Sequence, residues 1–79
     1  SIKAPLVGTF YAAPSPDQPP FVQVGDTVKK GDVVLIIESM KLMNEVVAEA
    51  DGIIEEVCAE NGQLVEYGTE LFRIKEMDV

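Results

Sequence analysis

The 79 residues predict an all-β fold, a flattened sandwich of two antiparallel sheets with an approximate two-fold axis. Three observations lead there. Val, Ile and Thr are frequent, and six glycines cut the chain into pieces too short for amphipathic helices. A glycine-framed motif occurs twice: Gly25-Asp-Thr-Val-Lys-Lys-Gly31 and Gly62-Gln-Leu-Val-Glu-Tyr-Gly68 lie 37 residues apart. The same shift sets Val28 on Val65, Val34 on Leu71, Leu35 on Phe72 and Ile37 on Ile74. Upstream, Ala4-Pro-Leu-Val-Gly8 resembles Ala48-Glu-Ala-Asp-Gly52, 44 residues on. Each half is then a strand, a glycine turn, more strand, a Gly-x5-Gly loop and a final strand. Halves this small cannot bury a face alone, so they pack as two sheets around one core.

In chain order, Ile2–Leu6 and Gly8–Ala12 read as strands. Between Gly8 and Gly25 the first half carries about seven residues more than the second, because the spacing of the copies drops from 44 to 37. The excess falls in Tyr11-Ala-Ala-Pro-Ser-Pro-Asp-Gln-Pro-Pro-Phe21, which holds Pro14, Pro16, Pro19 and Pro20. Proline fixes φ and donates no backbone hydrogen bond, so this segment is a stiff surface loop, with aromatic Tyr11 and Phe21 anchoring its ends. Phe21–Val24 is the next candidate strand. Val33–Ser39 follows, and its Val-Val-Leu-Ile-Ile run reads as a strand buried on both faces. Met43–Glu49, Ile53–Ala59 and Leu71–Lys75 complete the set. The link between the halves, Glu38 to Asn44, is the hairpin where one repeat hands over to the next.

One domain of this size has a stability of roughly 4–12 kcal/mol at the usual per-residue value and little room for a deep active-site cavity. It opens directly on a strand-like segment, as a domain excised from a longer polypeptide would. The net charge of −8 repels polyanions, which excludes nucleic acid as a partner. No histidine is present, so Ser-His-Asp and Cys-His devices and histidine metal sites are impossible. Glu55 and Glu56 are neighbours on a strand and point to opposite faces, a poor catalytic pair. No glycine loop has a phosphate-cradling pattern. Asp26, Asp32, Glu60 and Glu66 flank glycine turns as solvated turn residues. Cys58, the single cysteine, forms no internal disulfide, fits a reducing cytoplasm and reads as a small apolar filler. No apolar run reaches membrane-span length and no signal peptide is visible.

One motif remains: Glu38-Ser39-Met40-Lys41-Leu42-Met43-Asn44-Glu45. A charged ammonium is rarely buried, so Lys41 is either an ordinary outward strand lysine or a lysine displayed at a turn. The local sequence alone favours the ordinary reading, since short motifs match by chance. The repeat shifts the balance, because it puts Lys41 near the middle of the hairpin between the halves. Methionines on either side are polarisable and adaptable, useful where several partners must fit one surface.

ESMKLM resembles the attachment signature Glu-Ala-Met-Lys-Met, and the two-half β layout resembles the biotinyl/lipoyl domain family over nearly all 79 residues. The resemblance implies one biotinyl domain, 1–79, of barrel-sandwich hybrid type, with biotin covalently on Lys41 and with Glu38, Ser39, Met40, Leu42 and Met43 around it. Met40 and Leu42 are the wrong neighbours for lipoate, since lipoyl domains usually show Asp-Lys-Ala there. The proline insertion looks like the thumb of the biotin carboxyl carriers of bacterial acetyl-CoA carboxylases, spanning about 12–20, with Ala13, Pro14, Ser15 and Pro16 next to biotin. Ser39 replaces the family's usual alanine, Leu42 a frequent methionine, and Ala13 a frequent hydroxyl residue. By resemblance the partners are biotin carboxylase, carboxyltransferase and biotin protein ligase, with no nucleic acid and no membrane. The domain carries biotin between two active sites without catalysing anything itself. The alternatives are a biotinyl domain of another carboxylase or decarboxylase and an unmodified interaction domain. A structure with Lys41 mid-strand or on a helix, rather than at an exposed hairpin tip, overturns this reading.

Overall fold

Eight strands carry the chain through the computed structural model, which describes residues 1–77. They are β1 (Ile2–Lys3), β2 (Gly8–Tyr11), β3 (Thr27–Val28), β4 (Val33–Ser39), β5 (Leu42–Val47), β6 (Gly52–Val57), β7 (Leu64–Val65) and β8 (Glu70–Glu76). Asp78 and Val79, the end of the expected 1–79 domain, lie outside the described residues. One sheet has the order β1-β8-β6-β3 and the other β5-β4-β2-β7, with every pairing antiparallel. The molecule measures 39 × 27 × 19 Å, the flattened form expected of two stacked sheets.

The two-fold holds strand for strand. Replacing β1, β2, β3 and β4 by β5, β6, β7 and β8 turns one sheet order into the other. Registers follow: Thr9 opposite Glu38 and Phe10 opposite Ile37 have the counterparts Ile53 opposite Lys75 and Ile54 opposite Ile74. The glycine loops match as well. Gly25 N donates to Ile54 O at 2.8 Å as Gly62 N does to Phe10 O at 2.7 Å; Gly31 N donates to Ala48 O and Gly68 N to Ala4 O, both at 2.8 Å. All four glycines have φ between 85° and 94°, where a Cβ is strained. Different side chains cap equivalent turns. Asp26 Oδ2 accepts from Gln23 N and Asp32 Oδ2 from Lys29 N; in the second half Gln63 Oε1 accepts from Glu60 N and Thr69 Oγ1 from Glu66 N.

Several details depart from the sequence expectation. The strand expected at Ile2–Leu6 pairs only over Ile2–Lys3. Phe21–Val24 is not a strand: Gln23 N turns to Asp26 Oδ2 and Asp26 N to Gln23 O, closing a turn that leaves neither group for a ladder. Pairing forms inside the glycine loops instead, at β3 and β7. Cys58 is exposed rather than a core filler. A register shift between Ile54 and Glu56 breaks the inward alternation of β6, and Ala59 takes the buried place beyond it.

Between the sheets lies a core led by Phe10, Leu35, Ile37, Ile54, Leu71 and Phe72. Phe10 of β2 meets Phe72 of β8 edge-to-face, with centroids 5.9 Å apart and planes at 73°. Val34, Leu35, Ile36 and Ile37 are all buried, as their apolar run requires. A register shift between Val33 and Leu35 lets successive side chains, Val34 and Leu35, both reach the core.

Gly8 lies against the Ile37–Glu38 backbone of β4. A Cβ there would meet the Glu38 carbonyl oxygen and, at 2.7 Å, Ile37 Cγ2. Gly8→Ala should therefore lower stability by about 1–3 kcal/mol in urea unfolding, since the obstacle is backbone and cannot swing away.

Candidate functional site

β4 ends at Ser39 and β5 begins at Leu42, and these two residues pair with each other. Met40 and Lys41 alone make the turn, a tighter connection than the Glu38–Asn44 link expected from sequence. Their φ values are 52° and 65°. Two successive positive φ values give the mirror-image turn whose twist matches a hairpin, and the residues it prefers are Asn-Gly. A bulky side chain in this region costs about 1–2 kcal/mol. Met40 is 91% exposed, and Leu42 and Met43 are exposed beside it. Neither folding nor solubility asks for strained, solvated methionine at a tip. Asn44 props the hairpin from inside, its Nδ2 donating to Ile37 O at 3.1 Å and to Leu42 O at 3.3 Å. Lys41 makes no ion pair among the described residues, where the one found joins Arg73 to Glu56 on the other sheet. Its amine is free and displayed.

Strand alternation then decides what lies behind the tip. Thr9, Glu38 and Met43 form one row across β2, β4 and β5, and Tyr11, Ile36 and Glu45 the next row on the same outward face. The proline-rich loop arches over that face. Between them is a cleft of about 270 Å³, walled by Ala13, Pro14, Ser15 and Pro16 on the loop side and by Tyr11, Glu38, Met43 and Asn61 opposite. Four hydrogen bonds and one packing contact hold the arch. Phe21 N donates to Ala12 O at 2.9 Å, and the Phe21 ring packs against the core. Gln18 N donates to Ser15 O at 3.2 Å, and Ala12 N donates to Asn61 Oδ1 at 2.8 Å. Tyr11 OH donates to Glu38 Oε1 at 3.0 Å. That hydrogen bond, with the carboxylate charge behind it, pushes the Tyr11 phenol above its ordinary value.

The sequence-derived residues thus separate into two neighbouring groups. Ser39, Met40, Lys41 and Leu42 form the tip, while Glu38, Met43 and the four loop residues line the cleft. Sequence reasoning missed Asn61 and saw Tyr11 only as an anchor. The β2–β4 register sets Tyr11 near Glu38. The β2–β7 register explains Asn61: Gly62 N reaches Phe10 O and Phe10 N reaches Gln63 O, so the chain before β7 runs alongside the root of the loop. No signal local to residues 60–62 announces that contact.

Two larger clefts lie elsewhere. One of about 720 Å³ lies where β1 and β5 approach, and one of about 390 Å³ beside Asp26 and Asp32. Among the described residues no cluster of metal-ligating side chains occurs, and no helix is long and apolar enough to cross a membrane.

Comparison with known proteins places these features in context. Residues 1–74 match the model of the family described as biotin-requiring enzyme. The chain is 57% identical to the biotin carboxyl carrier protein of acetyl-CoA carboxylase of Streptococcus pyogenes serotype M6, over 94% of this chain and 45% of that protein. It is 52% identical to the protein of that name from Pseudomonas aeruginosa, over 92% of this chain and 47% of the relative. The chain therefore spans less than half the length of these relatives. Among solved structures, a single-chain, multi-domain long-chain acyl-CoA carboxylase matches with a TM-score of 0.82, over 99% of this chain and 7% of that one, at 22% identity. A likeness at that identity shows the fold, which is the same here.

Relieving the turn tests whether the tip is built for stability. Met40→Asn should raise the unfolding free energy by about 0.5–1 kcal/mol in urea, because asparagine tolerates the left-handed region. An unchanged or lower value would remove the strain from the account.

Proposed function

This chain belongs to the family of biotin-requiring enzymes, and from that premise we propose that it is the biotinyl domain, residues 1–79 with a thumb at about 12–20, of a biotin carboxyl carrier of acetyl-CoA carboxylase. The observation that carries the proposal is the free, strained Lys41 tip beside a cleft of fragment size. Drug-sized ligands occupy pockets from about 300 Å³ upward, so about 270 Å³ suits a bicyclic head rather than a whole cofactor. No basic side chain lines it.

In this reading Lys41 Nζ forms an amide with the biotin carboxyl group, and its four-carbon stem becomes half of a flexible tether. About ten bonds separate Cα from the ring, a reach of roughly 12–13 Å. Biotin, when attached, supplies a ureido nitrogen that takes up and gives off a carboxyl group; the domain supplies position. Met40, Leu42 and Met43 offer an adaptable apolar collar to biotin protein ligase, biotin carboxylase and carboxyltransferase in turn. Ser39 keeps the turn in register, and Ala13, Pro14, Ser15 and Pro16 wall the resting place of the head. Delivery to acetyl-CoA at the carboxyltransferase gives malonyl-CoA for fatty acid synthesis, in the cytoplasm. Catalysis stays with the partners.

The names of the relatives favour acetyl-CoA carboxylase over other biotin-dependent carboxylases and decarboxylases, and so does the proline insertion. Two experiments test the proposal. Biotin protein ligase should add the mass of one biotin, mapped by peptide analysis to Lys41 alone. Lys41→Arg should stay folded by circular dichroism and take no label. Label on Lys29 or Lys30, which share an exposed loop without methionine neighbours, would refute the assignment. Deleting residues 13–19 should spare the fold and slow carboxyl transfer in the reconstituted carboxylase. Full activity after that deletion would reduce the loop to decoration.

A further inference from the structure

We propose that Glu38 makes the cleft a charge-selective berth: it holds the neutral biotin head borne by Lys41 and turns away the same head once it carries a carboxylate. The inference rests on the reading of Lys41 as the biotinylated residue.

Among the described residues, Glu38 is the one charged side chain lining the cleft. Tyr11 OH occupies its Oε1 at 3.0 Å and so fixes the carboxylate in place. Its Oε2 takes no hydrogen bond from the described residues, and the other walls of the cleft are neutral. A free carboxylate oxygen in such a space accepts well from an N–H donor. The ureido ring of biotin offers two such donors. Reach is sufficient: Lys41 Cα lies three residues from Glu38, at most about 10–11 Å, against an arm of roughly 12–13 Å.

Loading reverses the match. When a partner enzyme carboxylates the ring with CO2 drawn from bicarbonate at the expense of ATP, one N–H bond breaks and the proton leaves to a base on that partner. An N–C bond forms to the CO2 carbon as one C=O π bond opens to give the carboxylate. The head loses a donor and gains a negative charge. Glu38 then faces an anion at contact distance, in a cleft that lends no cation. Amide formation has already removed the ammonium of Lys41, the only basic residue of the β4–β5 hairpin, from a chain of net charge −8. Like charges within a few ångströms at a protein surface disfavour the docked state roughly tenfold or more. Tyr11 and Glu38 would thus park the empty arm and release the loaded one, giving the swing a direction.

Amide shifts of Ala13, Ser15 and Met43 read the berth directly. They would be followed by 15N NMR in the unmodified protein, in the biotinylated protein, and after carboxylation by biotin carboxylase with bicarbonate and MgATP. Biotinylation should move them, and carboxylation should return them to the unmodified positions. In Glu38→Gln, carboxylation should leave them moved. A loaded wild-type arm that stays docked overturns the proposal while sparing the berth. Release in wild type and Glu38→Gln alike shows that bulk rather than charge expels the head, and overturns it too. No shift on biotinylation removes the berth itself, and with it the proposal; no label on Lys41, read by mass, instead refutes the assignment beneath it. Should Glu38→Gln resist labelling, salt replaces it: raising ionic strength should draw the loaded wild-type arm partly back, and salt-independent release counts against charge.

Discussion

Neither half of this chain can finish its own sheet. β2 and β4 of the first half need β5 and β7 of the second on their edges, and β6 and β8 need β1 and β3 in return. That exchange is the constraint from which the rest follows. It forces both halves to fold together, since an unpaired edge and an uncovered apolar face would remain if either formed alone. It draws Phe10 and Phe72 from different halves into one edge-to-face contact between the sheets. It also places the glycine loops, whose positive-φ turns send each chain back across to the other half.

The same exchange isolates the β4–β5 hairpin. Its counterpart under the two-fold is the place where β8 and β1 lie side by side without a connecting turn. Among the described residues this pairing is closed by a turn at the β4–β5 end alone, and Lys41 occupies that turn. Asn44 secures the strands just behind, so Met40 and Lys41 can hold a left-handed pair that bulky residues normally avoid. Strain of this kind persists where the surroundings over-determine it. Here seven- and six-residue strands in register on either side do so.

The cleft joins three segments that are remote in sequence: the loop after β2, the hairpin and the turn before β7. Four prolines stiffen the loop, and Asn61 and Tyr11 tie it down from opposite sides. A wall prepared in this way needs no ordering before it meets a ligand, so a weak contact would suffice for the proposed berth. In the proposed carrier role weakness matters, because a head held tightly would not leave for the next active site. About 1 kcal/mol, the net worth of an ordinary hydrogen bond, is the appropriate scale.

Much of this was legible in the residues. The two glycine motifs predicted the two-fold, the apolar run Val33–Ile37 predicted a doubly buried strand, and the repeat boundary located Lys41 at a hairpin. Such features repeat or alternate along the chain, and local sterics and periodicity are enough to produce them. Others depended on the tertiary structure. Thr27–Val28 and Leu64–Val65 are strands because the other half supplies an edge; alone, each pair of residues is loop. Cys58 is exposed because of a one-residue register shift in β6 that no local pattern marks. Asn61 holds the root of the loop, and Glu38 faces the cleft with one oxygen engaged by Tyr11, because antiparallel pairing aligns residues 49 and 27 positions apart. Periodicity says which way a side chain points from its own strand. What it meets there is decided by the strand that the fold lays beside it.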